Sequence, residues 1–151
     1  MTQRLTSKLG AERIALALIG LFMLPAAAQA SFFPRSFYDD FPMGRAWIAV
    51  DGEYNEHLVR DVGGLFLGLI VVTAFAMRRR ELLVPIATAW LVSGSLHLWY
   101  HVGHLDAYDG VDKIGLIASL GVVPIAAAAA LLFANRGGSS GSGGSDADQR
   151  P

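Results

Sequence analysis

Four apolar runs, residues 14–30, 62–77, 82–105 and 114–134, leave this chain few ways to fold. A bilayer's hydrocarbon core is about 30 Å thick, and a helix rising 1.5 Å per residue crosses it in about 20 residues. Inside lipid every backbone N–H and C=O needs a partner within the chain, which leaves helices or closed barrels. The runs are unbroken rather than alternating, so they predict helices. Apolar residues make up 53% of the chain and charged ones 17%, with a mean hydropathy of +0.42, far from the balance of a domain folded in water. The expected fold is all-α: a four-helix transmembrane bundle forming one domain over residues 1–136, with helices at about 14–30, 56–77, 82–105 and 114–134. The second run gains length from Leu58 and Val59 at one end and from snorkelling Arg78, Arg79 and Arg80 at the other. Pro85 suits a helical first turn in the third.

Two segments carry other readings. Arg4, Lys8 and Arg13 before an apolar stretch ending in Ala28-Gln29-Ala30 also fit a cleavable secretory signal. The stretch exceeds a usual signal core, and Phe32-Phe33-Pro34 continues it as an interfacial belt, which favours a retained first helix. At the far end, residues 137–144 are only glycine and serine, so 137–151 reads as a disordered tail.

Basic residues set the expected orientation. Arg4, Lys8, Arg13, Arg78, Arg79, Arg80, Arg136 and Arg150 fall on one side, against Arg35, Arg45, Arg60 and Lys113 on the other. The positive-inside rule then places both termini in the cytoplasm of a multi-pass cell-membrane protein. Between the first two helices lies one longer outer loop, residues 31–55, whose Phe32, Phe33, Phe37, Tyr38, Phe41 and Trp47 suit the headgroup zone.

Several function classes drop out. A net charge of −1 lacks the basic excess that nucleic acid demands. Without cysteine there is no disulfide, thiolate catalysis or cysteine-ligated cluster. Glu56-His57 lacks the second histidine of a metalloprotease motif, and no phosphate-cradling glycine loop or Ser/His/Asp order is present.

The histidines are the informative polar residues. His97, His101 and His104 follow i, i+4, i+7 spacing and share a helix face with Trp90, Ser93 and Gly94. On the preceding helix His57 and Asp61 are spaced i, i+4, in line with Gly64 and Gly68, a small-xxx-small pattern that admits close helix packing. A short turn makes these two helices expected antiparallel neighbours, and counting outward from Arg78–Arg80 levels His101 with Asp61 and His104 with His57. The expectation is a metal site of His57, Asp61, His97, His101 and His104, with Asp112, Gly115 and Ser119 closing a third side. Imidazoles with a carboxylate suit a divalent metal such as Zn, Cu or Fe. Haem fits poorly, since only His57 lies off the third helix, and Met23, Met43 and Met77 are too scattered for a thioether copper site.

The plainer alternative is that histidines at helix ends bond to water or loop backbone, and that Asp61 faces the helix dipole. Against accident stands His97, an ionisable group inside a membrane helix. Arg60 is expected to reach lipid phosphate or an acid such as Asp109.

The segments Phe37-Tyr38-Asp39-Asp40-Phe41-Pro42, residues 54–64 and His97 to Asp106 resemble a group of uncharacterised small membrane proteins of actinobacteria. The resemblance spans roughly residues 14–134 and implies four spans, a retained first helix and no assigned activity. Size and span count alone give a looser likeness to DoxX-type proteins, some linked to quinol oxidation. Three functions follow as alternatives: a membrane protein with a metal or redox site at the outer face, a structural or accessory subunit with a membrane-protein partner or a second copy, and a small proton-coupled transporter. The last lacks an ionisable path through the cytoplasmic half.

Overall fold

A computed structural model describes residues 10–139, with side chains to Asn135; Arg4, Lys8 and most of the 137–151 tail lie outside the described residues. The described fold is five α-helices in the order α1 (Ala11–Phe32), α2 (Pro34–Asp40), α3 (Glu56–Ala76), α4 (Leu83–Val102) and α5 (Gly110–Ser139). Short 3-10 turns lie at Arg80–Leu82 and Leu105–Ala107. Of these, α1, α3, α4 and α5 are long and apolar enough to cross a membrane. The longer loop contains α2, started by Pro34, whose fixed φ and missing N–H suit a first turn. Asn55 caps α3 by accepting from the Leu58 N–H. Residues 137–139 continue α5.

Packing does not follow chain order. Helix α1 lies against both α3 and α5, and α4 packs mainly on α5. Leu16 and Ile19 of α1, Ala76 of α3, Leu83, Ile86 and Trp90 of α4, and Ala127 and Ala130 of α5 form the core. Glycines set two of the contacts. A Cβ on Gly63 would come within 2.7 Å of the Ser31 nitrogen on α1, and one on Gly94 within 3.0 Å of Pro124 on α5. Such contacts tie helices where lipid supplies no hydrophobic drive.

The expected close pairing of the second and third spans is therefore corrected. Helices α3 and α4 meet at Trp90, which stacks on Phe66 with ring centroids 6.0 Å apart and donates its indole N–H to Thr73 Oγ1 at 2.9 Å. Their main neighbours are other helices. Exposed Leu18, Leu21, Leu65, Ile114 and Ile125 stand on the flanks of the bundle, where a bilayer would cover them.

Both described ends lie at one end of the bundle, here the terminal end, with the Arg78–Arg80 turn. The loop of residues 33–55 and the α4–α5 connection form the loop end.

Candidate functional site

The loop between α1 and α3 has no period to fix it, yet side-chain contacts hold it as a cap. Tyr38 of α2 donates to the Gly52 carbonyl at 2.6 Å. Arg35, paired with Asp39 at 2.6 Å, lies over the rings of Tyr38 and Tyr54. Both the Asp39 hydrogen bond and its charge hold the Arg35 guanidinium above its ordinary pKa. Further along, Arg45 and Trp47 both donate to Asp112 Oδ1 at the start of α5. The Trp47 ring covers Gly115, where a Cβ would sit 3.2 Å away.

Asp51 lies at the centre of this cap. Its Oδ1 accepts from the Tyr108 hydroxyl at 3.2 Å, and the same hydroxyl lies 3.0 Å from the Trp47 carbonyl. Its Oδ2 faces His101 Nε2 at 3.8 Å. Burial, and then the Asp51 charge, push the Tyr108 hydroxyl well above its ordinary pKa, so it stays a donor. His101 is 5% exposed, its Nδ1 is buried with no hydrogen-bond partner among the described residues, and the His97 ring meets it edge-on with centroids 4.8 Å apart.

The other expected ligands go elsewhere. His57 Nε2 pairs with Asp61 at 3.1 Å on the surface of α3, where the His57 side chain is 88% exposed. These two share a face with Gly64 and Gly68, and α3 buries the opposite face, through Gly63, Thr73 and Ala76. The reason is rotational: i, i+4 spacing aligns residues with one another but does not aim them at a given neighbour. His104 stacks on Tyr100 with centroids 4.2 Å apart, and its Nδ1 lies 2.7 Å from the Tyr100 carbonyl. Among the described residues, no three His, Asp or Glu side chains are grouped so as to hold a metal ion. Of the five expected ligands, the structure brings His97 to His101 and His57 to Asp61, as separate pairs.

Two further expectations, for the third side of the cluster and for Arg60, change. Asp112, Gly115 and Ser119 do not close the histidine cluster: the first two meet Arg45 and Trp47, and Ser119 donates to the Leu116 carbonyl. Ser93 donates to the Trp90 carbonyl. Arg60 reaches Glu56 at 2.8 Å and the Ser31 carbonyl at 2.6 Å, tying α3 to α1.

Asp51 and Tyr108, which complete the His101 surroundings, were not legible as site residues. One lies in an aperiodic loop and the other in a short connection. An aspartate before glycine marks a turn and says nothing of what the turn approaches.

Comparison with family models, with curated proteins and with solved structures found no match to this chain.

Proposed function

We propose that this is a small integral membrane protein acting as a non-enzymatic structural or accessory subunit, docked through α3 on a transmembrane helix of a partner protein. One observation carries the reading: the face of α3 bearing His57, Asp61, Gly64, Gly68, Val71 and Phe75 is exposed along its whole length and opposes the face turned to its own bundle. A Cβ on Gly64 or Gly68 would meet nothing within 4 Å. Two glycines four residues apart give another backbone a groove for close approach, and the His57–Asp61 pair adds a polar contact at its rim. The cap supports this reading, because Asp112, Asp39 and Glu56 are engaged in holding the fold.

The test is the size of the assembly solubilised gently from native membranes, for wild type and for Gly64→Ile/Gly68→Ile. The expected result is a complex larger than the lone chain that the double variant loses while remaining folded. A wild-type chain migrating alone overturns the reading, and two differently tagged copies that co-purify in equal amounts replace the partner by a second copy.

A second reading, a metal or redox site at the loop end, is favoured by the Nδ1 of buried His101, unpartnered among the described residues, and by Asp51 opposite its Nε2. With His97 alongside, this donor set suits Zn, Cu or Fe. Metal content of the purified chain decides it. Stoichiometric metal lost in His101→Ala but kept in His57→Ala supports this site, and metal lost equally in both points to the five-residue cluster instead.

A further inference from the structure

We infer that the terminal end of the bundle binds the phosphate of an anionic phospholipid, held by Arg13, Arg78 and Arg80. The antiparallel register of α1 and α3 brings these residues to one end of the bundle. Gly63 lies against Ala30 and Ser31 at the loop end, and a Cβ on Gly20 would sit 4.0 Å from the Thr73 methyl further down. Gly20 stands seven residues from Arg13, and Thr73 stands three from the end of α3 at Ala76, where the chain turns back, so the first turn of α1 lies at the same end of the bundle as the α3–α4 turn.

Charge at this end is unbalanced. Arg79 engages Glu81 at 3.6 Å, whereas Arg78 and Arg80 are exposed and have no ion pair or side-chain hydrogen bond among the described residues. Glu12, the other acid here, is turned onto Gly10 in its own helical turn. Arg13 Nε is buried without a hydrogen-bond partner among the described residues. A guanidinium has no acceptor of its own and cannot lose its charge, so a buried Nε calls for an oxygen beyond those of the described residues. Phosphate oxygens match its planar fork of donors.

The surroundings select a lipid over a dissolved anion. Ile14 and Val84 are exposed at this end of two helices long and apolar enough to cross a membrane. An occupant here meets cationic donors at its head and apolar side chains along its length, as a phospholipid does and inorganic phosphate does not.

Native mass spectrometry of the full chain in detergent, titrated with phosphatidylglycerol or with phosphatidylcholine of the same acyl chains, tests the site. Phosphatidylglycerol is expected to bind more tightly, and each arginine neutralised to weaken it by about fivefold, hence roughly 25-fold for Arg78→Gln/Arg80→Gln. Arg35→Gln, at the loop end, is expected to change nothing. Arg13→Gln tests the buried Nε, and the double variant in the exposed turn carries the test if Arg13→Gln fails to fold. Equal binding of the two lipids, or an unaffected double variant, overturns the proposal. Displacement of the lipid by millimolar inorganic phosphate overturns it in favour of a free-anion site.

Discussion

Trp90 and Thr73 form the buried polar link between α4 and α3, with the indole N–H donating to the threonine hydroxyl at 2.9 Å. The hydroxyl in turn donates to the Leu69 carbonyl one turn back at 2.8 Å. Thr73→Val keeps the volume and removes the acceptor, leaving a buried indole N–H unpaired. A loss of about 1 kcal/mol is expected, within the range of interhelical hydrogen bonds in membranes, measured as a shift in the mixed-micelle unfolding midpoint. An unchanged midpoint would show that the link adds nothing to the Phe66–Trp90 stack.

Adjacent glycines on α3 are expected to respond in opposite ways. Gly63→Ala forces a methyl into the Ser31 backbone and should destabilise the α1–α3 contact by about 1–3 kcal/mol. Gly64→Ala meets open space and improves helix propensity, so it should be neutral or stabilising by up to about 1 kcal/mol. Thermal unfolding of the two variants side by side checks the contrast.

The cap depends on Asp112. Asp112→Ala leaves the donors of Arg45 and Trp47 without their shared acceptor, and loosens the segment between α2 and α3. Charge-assisted bonds of this type contribute about 1.5–3 kcal/mol, so tryptic cleavage at Arg45 should accelerate by about tenfold or more. Cleavage at the wild-type rate would show that Asp112 does not restrain the loop.

Tyr108 predicts an alkaline limit. Its folded pKa is raised, by burial first and then by Asp51, so the fold favours the protonated hydroxyl. The stability this gives is fully present below the unfolded value, about 10, and is lost as pH rises beyond it. Stability measured from pH 8 upward should stay level to about pH 10 and then fall. Tyr108→Phe should flatten that fall while lowering stability at neutral pH through loss of the one O–H donor shared by the Trp47 carbonyl and Asp51. A variant that loses stability as steeply as wild type would place the limit elsewhere.

Much of the architecture was legible from hydropathy. Residues 14–30 proved to be the middle of α1, and the third and fourth runs fell within three to five residues of α4 and α5. A start for the second span at residue 56 matches α3, where Asn55 provides the cap. The site was less legible. The spacing of His97 and His101 does bring their rings together, because i, i+4 geometry is internal to one helix. The step that failed joined His57 and Asp61 to them, and it required knowing how two helices are turned about their axes.

The sequence by itself determined the number of long apolar helices, roughly where each lies, and the alternation of polar ends with apolar middles, since backbone groups in lipid must pair within each helix. Only the tertiary structure decided which helix lies beside which, that the Gly64–Gly68 face of α3 turns outward, and that Asp51 and Tyr108 close over His101. The physical reason is that lipid tails and neighbouring helices are equally apolar, so hydropathy does not tell a buried face from an exposed one. Contact is instead settled by small local features: a glycine such as Gly63 where two backbones touch, a hydroxyl such as Thr73 within reach of an indole, and a loop carboxylate that meets a buried imidazole.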